Sequence, residues 1–247
     1  SMFSVQRSPD GSYIYDYSVL DRYIQLCFAY GIDQQIEVFG LINNWVSVED
    51  GFLNFTETPE AIRIRYRTPD GSFRYMKETA DIEDYIKALC RHFREKGWLE
   101  KVRVVADEPA DYERFRMSLD MVKRIAPDFR YKAAFGKKSF YDEFQDTIDD
   151  FCVVLTGLTT AAEEWKPVFK EDKKHKFTFY VCCFPRCPNT YLFSDLLETR
   201  YLAILADYFR LSGFLRWNYT VWPRDPRSDI RYHPFPAGDT NFVYPGG

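Results

Sequence analysis

Short apolar runs of strand length alternate with longer runs of helical period along most of this 247-residue chain, and that alternation limits the fold more than any other feature. Strands joined through a helix return to the same end of a sheet and lie parallel, so the rhythm predicts an α/β protein built on a parallel sheet. Six helix-strand units are legible. Residues 19–30 set Leu20, Tyr23, Ile24, Cys27 and Phe28 on one helical face and stop at Gly31, ahead of a strand at 36–42. A helix at 82–96 closes at Gly97 before the strand 102–106, and a helix at 112–125 ends at Ala126-Pro127 before the strand 129–135. Three further pairs follow: helix 140–148 with strand 151–156, helix 161–169 with strand 177–184, and helix 196–211 with strand 214–221.

One segment departs from the rhythm. Residues 61–67 and 72–78 alternate apolar with charged on either side of Thr68-Pro69-Asp70-Gly71, which reads as a β-hairpin inserted within 46–80. The proline-rich stretch 223–247 reads as an irregular loop region. Taken as one partial domain over 1–247, about six βα units fit a (β/α)8 TIM-barrel-like fold that is incomplete, lacking its first two strands and its last helix. Open sheet edges are normally avoided, so missing barrel segments or a neighbouring domain are expected to complete the fold. A doubly wound open sheet fits the same strand count; in either fold ligands meet the C-terminal ends of the strands.

Hydrophobic residues make up 46% of the chain and charged residues 28%, the balance of a folded water-facing domain rather than a disordered one. No run approaches the roughly 20 apolar residues of a membrane span, so no membrane insertion is expected, and the first residues carry no signal-peptide stretch. A net charge of −4 offers no basic field for nucleic acid. Aromatic residues reach 18%, and sugar C–H faces stack on such rings, as core side chains do. Cys27, Cys90, Cys152, Cys182, Cys183 and Cys187 show no framework spacing and read as reduced thiols, the form a cytoplasmic compartment maintains. Cys182-Cys183 with Cys187 lacks a nearby histidine, and no metal or other cofactor is implied.

The chemistry-bearing feature is Asp107-Glu108, where the apolar run Val102 to Ala106 meets Pro109. Two adjacent carboxylates are costly to ionise together, so one is expected to keep its proton to higher pH, giving an acid beside a charged partner. Glycoside cleavage needs that division, because the leaving oxygen takes a proton while positive charge builds on the sugar. The plainer reading is that Asp107, Glu108 and Asp111 place negative charge at the start of the next helix. Strand neighbours point to opposite faces, so the pair can serve one sugar only if the backbone turns at this point.

Several motifs in order resemble glycoside hydrolase family 123. They are Val104-Val105-Ala106-Asp107-Glu108-Pro109, Phe179-Tyr180-Val181-Cys182-Cys183 with Pro188-Asn189, the helix bearing Glu198 and Arg200, and Gly213 to Tyr219 with Trp222-Pro223, Asp225-Pro226, Ala237 to Thr240 and Tyr244 to Gly246. The resemblance implies an exo-β-N-acetylgalactosaminidase acting on terminal β-linked N-acetylgalactosamine with retention, through an oxazoline formed by the substrate's own acetamido group. It implies Glu108 as acid/base and Asp107 as the partner of the acetamido N–H. Tyr180 or Tyr219 would donate to the acetamido oxygen, and Trp217 would floor the sugar; each is also the kind of residue that fills a core. Asn43 and Trp45, at the first strand's end, and Asp239 and Tyr244, in the tail, are further sugar contacts on this reading. A non-catalytic sugar-binding relative, or a glycosidase of other specificity, would carry the same pocket.

Overall fold

Two turns of nearly the same sequence, Ser8-Pro9-Asp10-Gly11-Ser12 and Thr68-Pro69-Asp70-Gly71-Ser72, organise the start of the chain. The computed structural model describes residues 2–42, 64–232 and 234–243. The chain divides into two units, Ser1–Lys132 and Ala133–Gly247.

In the first unit each turn is built alike. The Oδ1 atom of Asp10 accepts the Ser12 backbone N–H at 3.0 Å and hydroxyl at 2.7 Å, and Asp70 does the same for Ser72 at 2.9 and 2.8 Å. Glycine follows each aspartate because the turn needs positive φ there, +90° at Gly11 and +86° at Gly71. The first turn joins β1 (Ser4–Arg7) to β2 (Tyr13–Asp16). After α1 (Ser18–Ala29) and β3 (Ile36–Phe39), the second joins β4 (Arg65–Arg67) to β5 (Phe73–Tyr75). β1 and β4 pair in parallel, giving a small sheet of order β2-β1-β4-β5. The helix α2 (Thr79–Glu95) buries Ile82, Tyr85, Ile86, Leu89 and Phe93 on one face and receives the hydroxyls of Tyr13 and Tyr15 on Asp81 and Asp84. Asp21 of α1 meets both His92 and Lys96; burial works against its charge, but these two partners hold its carboxyl below the usual range.

β3 lies parallel to β6 (Val102–Asp107), with Val38 opposite Val104. Every residue of β6 but the last is buried, as expected of a parallel strand covered on both faces. That includes Arg103, whose guanidinium donates to the carbonyls of Glu100 and Val102. After α3 (Tyr112–Ile125), β7 (Arg130–Phe135) runs across the boundary between the units, and the strand order in the first is β3-β6-β7. Lys132 on β7 is buried and pairs with Glu37 on β3.

The second unit continues with α4 (Lys138–Phe144), β8 (Asp150–Val154), α5 (Leu155–Thr160), α6 (Ala162–Glu171), β9 (Lys176–Tyr180), α7 (Leu196–Tyr208) and β10 (Gly213–Leu215). Its strands are ordered β7-β8-β9-β10, with β8 parallel to β9 and β9 to β10. Much of the aromatic content is packing: Phe135, Phe140, Phe144, Phe151, Trp165 and Phe177 are buried, and Trp165 stacks on Phe169 at 5.2 Å. The strand expected to reach residue 156 stops at Val154. A β-carbon on Gly157 would stand 2.2 Å from the Gly136 carbonyl oxygen, so the chain turns into α5 as tightly as only glycine allows. Below β9, Asp172 accepts from the Tyr141 hydroxyl at 2.8 Å and the backbone N–H groups of Lys174 and His175, and its Oδ2 lies 2.5 Å from His175 Nδ1. Burial works against its charge, yet these bonds prevail and lower its pKa to about 2.

Among the described residues the strands of the larger sheet follow chain order, β3-β6-β7 in the first unit and β7-β8-β9-β10 in the second, without the reversal of order that a doubly wound sheet has at its centre. The architecture is mixed α/β and compatible with an incomplete barrel. Six strands of this sheet are found among the described residues, two short of a (β/α)8 barrel.

Candidate active site

Asp107 is the last residue of β6 and the first of that strand to be exposed. Glu108 then takes φ = +43°, one of two non-glycine residues in the left-handed region among those described. A side chain with a β-carbon is strained there by about 1–3 kcal/mol, a conformation that persists mainly at functional positions. Pro109 has no N–H with which to continue the ladder. The backbone therefore turns at Glu108, so the strict alternation that would send Asp107 and Glu108 to opposite faces no longer applies.

Asp111 takes the helix-start role: its side chain accepts the Arg114 backbone N–H at 3.0 Å and caps α3. Burial first, and the Glu108 charge second, raise the Asp107 pKa above its ordinary value. The family resemblance gives the proton-donating role to Glu108. Beside this strand end, β3 passes Phe39, which pairs with Val105, and turns at Gly40 into the buried Leu41 and Ile42. Asn43 and Trp45 lie outside the described residues, as does Tyr244.

The second unit gathers a buried polar network at the ends of β9 and β10. Arg216, one residue past β10, donates to the Val181 carbonyl at 2.7 Å, to the Asp239 carbonyl at 2.9 Å and to Asp239 Oδ1 at 2.8 Å. The pair is withdrawn from water, with side chains 3% and 0% exposed. The other oxygen of Asp239 accepts the Trp217 indole N–H at 3.2 Å. Trp217 is itself 41% exposed, with Phe235 5.0 Å from its ring. Its N–H is tethered to a buried carboxylate while its surface is open, which suits stacking on an apolar sugar face.

Asn189, fully buried, ties in the loop after β9: its Nδ2 donates to the carbonyls of Cys182 and Pro185. Glu198 accepts the backbone N–H of Asn189 at 2.8 Å and that of Asp195 at 3.1 Å, completing the capping box of α7. The Asn189 bond, acting against burial, holds the Glu198 carboxyl below its usual range. Gly238, at φ = +87°, lets the tail press against the Leu192 backbone, where a β-carbon would come within 2.8 Å.

Of the sequence-derived candidates, Trp217 and Asp239 are joined directly. Tyr180 is buried among Ala134 and Cys152, with Leu215 beside it. Tyr219 is 62% exposed and faces Phe242. Arg216 and Asn189 entered the sequence reading only as motif residues, with no contact assigned; the available signal was a charged residue set between Leu215 and Trp217, since arginine in apolar company is seldom buried without a dedicated partner. Among the described residues no three His, Cys, Asp or Glu side chains converge as metal ligands, and no helix is long and apolar enough to cross a membrane.

Residues 1–247 match the family model described as glycoside hydrolase 123, catalytic domain. No curated protein sequence matches the chain.

Proposed function

The chain belongs to the glycoside hydrolase 123 catalytic-domain family and is a glycoside hydrolase, and on that premise we propose that it releases terminal β-linked N-acetylgalactosamine with retention, through an oxazoline. The observation that carries this reading is the left-handed turn at Glu108, which frees two adjacent carboxylates from strand alternation. Glu108, as the acid, donates its proton to the glycosidic oxygen while the substrate's acetamido oxygen attacks the anomeric carbon. Asp107, as carboxylate, accepts the acetamido N–H as positive charge develops on that nitrogen. A carboxylate whose proton affinity is raised by burial pulls harder on that N–H than a solvated one would, which suits Asp107 to this role. Glu108, now ionised, takes a proton from water, which opens the oxazoline at the anomeric carbon. No enzyme nucleophile is needed, as in other substrate-assisted glycosidases.

We assign Trp217 as the sugar platform, held by Asp239, with Tyr180 or Tyr219 as the donor to the acetamido oxygen. Asn43, Trp45 and Tyr244 are assigned as further sugar contacts from the family resemblance. Segments completing the barrel are assigned to two helix faces. α1 exposes Val19, Tyr23 and Leu26, with Tyr30 at its C-cap, and α7 exposes Leu197, Tyr201, Ile204 and Tyr208, each with spacing i, i+4, i+7, i+11. α2 buries seven of its residues, whereas α1 buries Ile24 and α7 buries Leu202. Two apolar stripes of this kind fit the helices of further βα units.

Hydrolysis of 4-nitrophenyl β-N-acetylgalactosaminide, measured beside its gluco epimer and the Glu108→Gln variant, tests the reading. Galacto-selective release that disappears in the variant supports it. Binding of N-acetylgalactosamine without release from either epimer selects the sugar-binding alternative, and release from substrates lacking the acetamido group contradicts the assisted mechanism.

A further inference from the structure

The loop after β9 begins with two adjacent cysteines whose sulfurs are in contact, Cys182 Sγ lying 3.7 Å from Cys183 Sγ. Cys183 is exposed and Cys182 partly so. We propose that Cys182 and Cys183 form a reversible oxidation site, closing to a vicinal disulfide on reaction with a small-molecule disulfide, and that closure loosens the anchor of Trp217. The second half rests on the assignment of Trp217 as sugar platform; the first does not.

The chemistry is ordinary exchange. The Cys183 thiolate attacks one sulfur of the small disulfide, whose S–S bond breaks and whose other half leaves as a thiolate that takes up a proton. Cys182 loses its proton and attacks Cys183 Sγ of the mixed disulfide, expelling the second thiol. The protein loses two protons and two electrons, and the small disulfide is reduced to two thiols. The sulfurs must approach from 3.7 Å to about 2 Å, a movement that takes rotation of both side chains and of the peptide between them. Adjacent Cα atoms are only about 3.8 Å apart, below the roughly 4.4–6.8 Å of relaxed disulfides, so the bond is strained and is reopened by mild thiols. Of the other cysteines, Cys90 and Cys152 are buried, and the thiolate of the exposed Cys187 is disfavoured by partial desolvation and by the Glu198 carboxylate.

Closure reaches the Trp217 anchor through one carbonyl. The Cys182 C=O accepts Asn189 Nδ2 at 2.9 Å and the Tyr191 hydroxyl at 2.8 Å, and it belongs to the peptide that becomes part of the disulfide ring. Rotating that peptide withdraws an acceptor from Asn189. The Asn189 Oδ1 in turn receives Arg216 Nη1 at 3.4 Å, and Arg216 fixes Asp239, which accepts the Trp217 indole N–H.

The test is to incubate the protein with excess oxidised glutathione, quench in acid, alkylate, and map peptides by mass spectrometry. The expected product is a Cys182–Cys183 peptide that is unalkylated, lighter by two hydrogens and restored by dithiothreitol, formed in wild type and in Cys187→Ser but not in Cys183→Ser. A bridge to Cys187, a lasting glutathione adduct on Cys183, or no reaction overturns the site. The coupling is read by tryptophan fluorescence, with a shift on oxidation in wild type that is absent in Trp217→Phe; an unchanged spectrum with the ring formed overturns the coupling. In the glycosidase assay KM is expected to rise about fivefold on oxidation, the equivalent of one net hydrogen bond. If neither redox form hydrolyses the galactosaminide, the glycosidase reading fails, while mass and fluorescence still decide the oxidation site.

Discussion

Glu108 unites two demands that conflict in most chains: a left-handed backbone and a functional side chain. Because φ = +43° strains any residue with a β-carbon, Glu108→Gly should be more stable than Glu108→Ala by about 1 kcal/mol in urea melts, although both lose the acid. Glu108→Gln is expected to lower turnover of substrates with poor leaving groups by about 100-fold or more while leaving binding of N-acetylgalactosamine intact, measured by steady-state kinetics and calorimetry. Asp107 presents the opposite balance of stability and function. Its folded pKa lies above its unfolded one, so the unfolded chain ionises first as pH rises, and Asp107 costs stability above that range. Asp107→Asn should therefore raise the Tm at pH 7, with the difference shrinking toward acid, while slowing oxazoline formation and removing the acidic limb of the pH–rate profile. A variant no more stable than wild type at pH 7 would contradict the desolvated carboxyl.

At the scale of elements, hydrogen-bonded carboxylates hold the strand and helix ends. Asp172, with its pKa lowered to about 2, joins the end of α6 to the start of β9 and to Tyr141 of α4. A depressed pKa contributes stability above the unfolded value of 3.8 and loses it as pH falls toward 2, so Asp172→Asn should cost about 2 kcal/mol at pH 7 and little at pH 2 in denaturant titrations. Gly238→Ala should cost about 1–3 kcal/mol, since positive φ and a backbone clash act together. The sequence was legible unevenly at this scale. β6 and α3 could be placed to within a residue, because a fully apolar run and a capped amphipathic helix carry strong local signals. The β1-β2 hairpin went unread although its turn repeats the one at Thr68, because strands of four residues with one buried position show little periodicity. β10 proved shorter than its apolar run, since Arg216 and Trp217 leave the ladder for the buried Asp239.

For the molecule as a whole, the exposed stripes on α1 and α7 are the least settled surfaces. Leu197→Glu combined with Ile204→Glu should reduce self-association in light scattering and binding of an apolar dye without lowering the Tm, because these side chains bury nothing within the described residues. A large drop in Tm would mean that the stripe is packed in solution. The same substitutions in a polypeptide carrying the remaining barrel units should instead destabilise it.

Local chemistry determined much of this protein on its own. Apolar period set the helices and the buried strands, proline and glycine set the turns, and a run of motifs marked Asp107 and Glu108 together with the family. Tertiary structure decided what depends on residues distant in sequence. It turned the backbone at Glu108, made Asp111 the helix cap, and made Asp239 the buried partner of Arg216 and Trp217. The reason is physical: periodicity and turn propensity act over a few residues, whereas desolvation and ion pairing depend on which segments the fold brings together.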